Sequence, residues 1–135
     1  METNYKVTII IPVYNSEKYL KQCLDSVINQ TLEKIEIICI DDKSTDNSLN
    51  ILKEYRNNDK RIKIIENSGN KGTGYTRNIG LKEALGEYIM LLDADDWYET
   101  ETCEKAYNQI NNNKDDIVFF NYTKIYEYNN TKKRN

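Results

Sequence analysis

A chain of 135 residues is the length of one domain, and 39% apolar against 30% charged residues fits a globular protein, not a disordered one. A net charge of −3 offers no broad attraction for nucleic acid, and the absence of histidine excludes Ser-His-Asp, Cys-His and other histidine-based acid–base schemes. No apolar run approaches the roughly 18 residues of a membrane span, and Met1 to Lys6 leads straight into a strand without a signal peptide, so a cytoplasmic chain is expected.

In chain order, the β-branched run Val7–Val13 predicts a strand, with Pro12 limiting pairing near its end. Tyr19, Leu20, Cys23, Leu24, Val27 and Ile28 then recur at three and four residues, which predicts an amphipathic helix with Ser16 as N-cap. Ile35–Ile40 reads as a second strand ending in Asp41-Asp42-Lys43-Ser44. Thr45 to Tyr55 reads as a helix with Leu49, Leu52 and Tyr55 inward, and Ile62–Ile65 as a third strand.

A glycine-rich loop from Asn67 runs into a helix expected to include Leu81, Ala84 and Leu85. Gly72 and Gly74 suggest a dinucleotide fingerprint, but its third glycine would fall at Arg77, and no G-K-[ST] stands at P-loop spacing. Tyr88 to Leu92, preceded by Gly86, predicts a buried central strand that ends abruptly in Asp93, Asp95 and Asp96. Residues 101 to 112 predict a modest helix, 116 to 122 and 124 to 128 two strands, and 129 to 135 a polar, basic frayed end or linker. Cys23, Cys39 and Cys103 lack C-x-x-C spacing and are expected as buried reduced thiols.

Strands alternating with helices imply a three-layer, mostly parallel α/β sheet with helices on both faces. Such a sheet gathers its strand C-termini on one edge, where ligands of open α/β sheets bind. Pro12 to Asn15, Asp41 to Ser44, Asn67 to Arg77 and Asp93 to Asp96 would then surround one crevice. Three acids in four positions repel one another by a few kcal/mol at ~4 Å, so a cation is expected beside them, and hard oxygens suit Mg2+ or Mn2+. Each segment also has a plain structural reading. The acids can form a solvated turn, Tyr14 can be a packing aromatic, Asp41 and Asp42 a capping pair, and Arg77 a surface ion-pair partner.

Five blocks in order sharpen the choice: V-T-I-I-I-P-V-Y-N-S-E-K-Y-L, S-V-I-N-Q-T, I-I-C-I-D-D-K-S-T-D-N-S, N-K-G-T-G-Y-T-R-N-I-G and G-E-Y-I-M-L-L-D-A-D-D-W. Over about residues 5 to 100 the sequence resembles the N-terminal part of a family 2 glycosyltransferase with the Rossmann-like GT-A fold. The resemblance implies a nucleotide-sugar donor site, with a UDP-sugar as the expected donor. In it Pro12, Val13, Tyr14 and Glu17 line the base pocket, and Asp42, with Asp41 beside it, accepts from the base edge. Arg77 helps hold base or diphosphate. Asp93 and Asp95 form the D-x-D pair, Asp93 toward ribose and metal and Asp95 as metal ligand, with Mn2+ or Mg2+ as cofactor. Lys43 stands where the family usually has glycine, and Thr73-Gly-Tyr-Thr76 replaces a run of smaller residues.

An inverting transfer also needs a base for the acceptor hydroxyl, of a saccharide or a lipid-linked sugar, and the resemblance puts that carboxylate well beyond the D-x-D. Asp115 and Asp116 come too soon. Residues 1–135 are therefore expected to be one donor-binding domain whose acceptor half and catalytic base lie elsewhere, with any contact to the inner membrane face made by other parts or partners. Two other classes stay open: a nucleotide-binding module without turnover, and a phosphoryl-transfer domain. Against the second, Asp-Trp follows Asp93-Ala-Asp95 where a phosphatase would want threonine, and the Asp41-Asp42 pair follows the second strand, not the first.

Overall fold

A computed structural model describes residues 4–128 and 131–134, with side-chain environments through residue 126. Strands β1 (Val7–Val13), β2 (Ile35–Asp41), β3 (Ile62–Glu66) and β4 (Tyr88–Leu91) alternate with helices α1 (Glu17–Ile28), α2 (Ser48–Asn58) and α3 (Thr73–Glu83); α4 (Thr102–Asn113) follows. The four strands form one parallel sheet in the order β3-β2-β1-β4. This is the three-layer α/β architecture expected from the strand–helix alternation.

Each face has its own core because successive strand residues point to opposite sides. Ile9, Ile11 and Val13 of β1 meet Leu20, Leu24 and Val27 of α1 and Leu52 of α2, while Ile10, Ile38 and Ile40 meet Ile79 of α3. Helix α3 lies close against the sheet: a Cβ at Gly80 would stand 2.5 Å from Ile10 Cγ2, so only glycine fits. Deeper on that face, the fully buried Glu36 accepts from Thr8 Oγ1 (2.7 Å) and from the Leu85 N–H (2.8 Å), and pairs with Lys63. The Gly86 N–H donates to Thr8 Oγ1 at 2.8 Å, so this network fixes the connection that delivers β4 to β1.

Several expectations need correction. Among the described residues β4 is an edge strand, not a central one, and its Ile89 and Leu91 are exposed while Met90 and Leu92 are buried. An apolar run has the same appearance at an edge whose neighbouring face is uncovered. Residues 116 to 122 form no strand, because among the described residues no strand pairs with them; Phe119 is 90% exposed. Instead β5 (Ile125–Tyr128) and β6 (Thr131–Arg134) make an antiparallel hairpin, so part of the expected frayed tail is strand, while 129, 130 and 135 lie outside the described residues. Helix α2 begins at Ser48, three residues later than expected, because Thr45 to Asn47 serve the loop contacts below; Ile51 joins Leu52 in the core while Leu49 is only half-buried. Leu81 and Leu85 are exposed, and α3 stops before Ala84. The three cysteines are buried and free.

Lys43 has φ of 64°, the left-handed region that disfavours side chains with a Cβ. Lys43→Gly is expected to stabilise the chain by about 0.5–1 kcal/mol net of glycine's greater unfolded-state freedom, read as a melting temperature higher by roughly 2 °C.

Candidate functional site

The crevice opens where β1 and β4 part. Leu92 N–H donates to Ile10 O at 3.0 Å, the last bond of that ladder, and Asp42 N–H donates to Val13 O at 2.8 Å on the other side of β1. Pro12, which has no N–H, falls on the β4 side just beyond the ladder, so the strands diverge there without an orphaned donor. The resulting cleft holds about 590 Å³ and is lined by Pro12, Val13 and Tyr14 from β1 and its loop, Asp42 from β2, Thr73, Thr76 and Arg77 from α3, and Asp93 to Asp95 after β4. That volume is typical of a small-molecule site. The segments scattered along the sequence do meet on one rim, with Asp42 and Asp95 facing the same space.

The first two loops are clasped together. Asn15, with φ of 45°, accepts the Thr45 N–H on Oδ1 at 2.8 Å and donates its own N–H to Ser44 Oγ at 3.0 Å. Ser16 makes no side-chain cap; its hydroxyl donates to Tyr14 O, and α1 is capped across the loop by Asp46, which accepts from Glu17 N at 3.1 Å. Glu17 returns the interaction by accepting from Asn47 N at 3.1 Å. Its carboxylate thus serves the start of α2, and Glu17 is not among the cleft-lining residues. Tyr14 is held at this clasp with 48% of its surface exposed and lines the cleft.

Asp42 is nearly buried and organises the glycine-rich loop. Its Oδ1 accepts from Asn67 Nδ2 (2.9 Å) and Lys71 N (2.8 Å), and its Oδ2 accepts from Gly72 N (2.9 Å). Burial alone would raise its pKa, but the bonds from Asn67, Lys71 and Gly72 outweigh it and hold the carboxyl below the usual range. Gly72 takes φ of 86°, a turn open to glycine, and this presents its N–H to Asp42 as α3 begins. Asp41 is also buried, accepting from Ser44 N at 3.1 Å on Oδ2, while Oδ1 has no partner among the described residues. It does not line the cleft.

At the opposite wall, Arg77 Nη2 donates to Asp93 Oδ1 at 2.7 Å, and its buried Nε has no partner among the described residues. Asp93, Asp95 and Asp96 offer carboxylate oxygens that all lie within 4.8 Å of one another. Burial, then the charges of Asp95 and Asp93, push the Asp96 carboxyl above its usual range. Exposed hard oxygens at this spacing fit Mg2+ or Mn2+. A second cleft of about 640 Å³, walled by Trp97, Tyr98 and Phe120, shares Arg77, Asp93 and Asp95 with the first.

Sequence reasoning puts Asn67 and Thr76 in the crevice segment 67 to 77 but does not single them out. The pattern Thr73, Thr76, Arg77, Gly80 was the available signal, since spacing by three, four and seven puts one face of α3 toward sheet and cleft.

Among the described residues no helix is long and apolar enough to cross a membrane. The profile of glycosyl transferase family 2 matches residues 8–135. The poly(ribitol-phosphate) beta-glucosyltransferase of Bacillus spizizenii is 47% identical over 116 residues, covering 84% of this chain and 18% of that protein. Of solved structures, S. aureus TarS 1-349 in complex with UDP-GlcNAc superposes with a TM-score of 0.75 at 37% identity, over 79% of this chain and 31% of that one. The mannosyltransferase PcManGT of Pyrobaculum calidifontis, in complex with GDP-Man and Mn2+, shares the fold at a TM-score of 0.73 and 24% identity, over 81% of this chain and 34% of its own. This chain therefore spans about a third or less of the length of these relatives. With the profile running over almost its whole length and a relative 47% identical over 84% of it, the chain belongs to glycosyl transferase family 2.

Proposed function

We propose that residues 1–135 are the donor-binding domain of a glycosyltransferase. They would bind a UDP-sugar with Mn2+ or Mg2+ for inverting transfer to a hydroxyl of a saccharide or lipid-linked acceptor. The observation that carries this reading is the cleft in which an exposed tyrosine, a loop-organising carboxylate, an arginine and the Asp93 and Asp95 carboxylates converge. The TarS structure in complex with UDP-GlcNAc supports the choice of donor.

In this reading Tyr14 stacks on the base. Asp42 Oδ2 accepts the Gly72 N–H, and a carboxylate oxygen with two lone pairs can also take a base N–H. Asp93 and Asp95 hold the cation, Arg77 faces the diphosphate, and Pro12 and Val13 form the floor. Glu17 and Asp41 support these groups from behind: Glu17 through the clasp between α1 and α2, Asp41 through the Ser44 turn. A bound divalent ion would supply positive charge against the departing pyrophosphate. The base that deprotonates the acceptor is proposed to lie beyond residue 135. A phosphoryl-transfer reading is disfavoured because Asp42 is committed to three N–H donors, not held free as a nucleophile.

Calorimetric titration of UDP tests this. Affinity is expected to rise roughly tenfold or more, about 1.4 kcal/mol, when Mn2+ is added. Equal heats with and without the ion, or none in either case, would sink the proposal.

A further inference from the structure

Arg77 is held by one end of its guanidinium only. Nη2 bonds Asp93 Oδ1 at 2.7 Å, while Nε is buried without an acceptor among the described residues. An unsatisfied buried N–H is unfavourable, and this one finds no protein acceptor among the described residues, so it is available to an acceptor that a ligand brings. Asp93, which Arg77 occupies, also belongs to the carboxylate trio suited to a divalent ion. Both side chains are partly exposed, at 37% and 48%, so the pair can open without unpacking a core.

We infer that Arg77 is an internal counter-cation that exchanges with the metal. In the empty site it neutralises Asp93; when a divalent ion takes that carboxylate, Arg77 leaves it and gives its guanidinium, Nε included, to the phosphates of the donor. Two positive groups on one small carboxylate cluster repel, whereas guanidinium and diphosphate match in charge and geometry. Metal and nucleotide are then coupled through this side chain: the ion releases the group that the nucleotide needs, and the ion alone must compete with that group. The inference rests on the donor-site reading above and adds a sign that the reading does not contain.

The test uses MnCl2 and UDP as separate probes on the wild-type chain, Arg77→Gln and Arg77→Lys, with Mn2+ uptake read by the loss of the free-ion EPR signal and UDP by calorimetry. Arg77→Gln is expected to bind Mn2+ alone roughly three- to tenfold more tightly, because its competitor is gone, yet to bind UDP at saturating Mn2+ about tenfold or more weakly. Arg77→Lys keeps the charge and is expected to leave Mn2+ affinity within about twofold while weakening UDP, since an ammonium lacks the fork geometry. Unchanged or weaker Mn2+ binding by Arg77→Gln, in a chain whose circular dichroism matches wild type, overturns the inference alone. A wild-type chain that takes up neither probe at millimolar concentration overturns the donor reading and this inference with it. Should Arg77→Gln fail to fold, the lysine variant decides: strengthened Mn2+ binding or unimpaired UDP binding would overturn the exchange.

Discussion

Asp42→Asn is expected to destabilise the chain by about 2–4 kcal/mol and to weaken UDP binding roughly a hundredfold. The carboxylate accepts from Asn67, Lys71 and Gly72 at once, and an amide can accept on only one atom while turning a second donor toward N–H groups. The glycine-rich loop would lose its anchor, and with it the register of Thr73, Thr76 and Arg77 along the cleft. Urea unfolding and calorimetry on the same protein check both halves; a variant as stable as wild type would show that the loop is held by other means. The pH dependence follows from the depressed carboxyl. Its stabilising contribution is present above the ordinary value of 3.8 and is lost as pH falls through the lower folded-state value, so the asparagine variant should lose that part of the acid dependence.

Glu36→Ala should be comparably severe, at about 3–4 kcal/mol, although Glu36 stands at the opposite end of β2 from the cleft. Removing this carboxylate leaves Thr8 Oγ1 and the Leu85 N–H without their acceptor and cuts Lys63 loose. Lys63 is 43% exposed and can turn to water, which keeps the cost below that of a sealed ion pair. Burial pushes the Glu36 carboxyl up, but the bonds from Leu85, Lys63 and Thr8 more than reverse this and hold it low. Its contribution is therefore complete above the ordinary value of 4.5 and is lost as pH falls through the lower folded-state value. Thermal melts of wild type and variant from pH 7 to pH 3 should converge at the acid end; a constant gap would show that Glu36 stabilises by packing, not by charge.

Most of the sheet was legible because β1 and β2 are long, β-branched runs between clear helical repeats. The edge position of β4 was not, since an apolar run does not say how many neighbours its strand has. Residues 116 to 122 failed for a related reason: Phe119, Phe120 and Tyr122 favour a strand locally, but a strand also needs a partner, and none adjoins them among the described residues. That Tyr14, Asp42, Arg77, Asp93 and Asp95 share one cleft was legible because strand ends of a parallel sheet gather on one edge. The resemblance points Glu17 toward the base pocket, and in the structure its carboxylate accepts from Asn47 N at the start of α2. Contacts between loops some thirty residues apart, such as Asn15 with Thr45, leave no local mark in the sequence.

The place of β1 between β2 and β4 also sets a timetable. Val7 pairs with Ile35 on one side and with Tyr88, made about eighty residues later, on the other. Closing so long a loop is entropically slow, so relative contact order points to late docking of the last parallel strand. A chain emerging from the ribosome would settle its first three strands before the carboxylates arrive, and ligand affinity would appear in one late step.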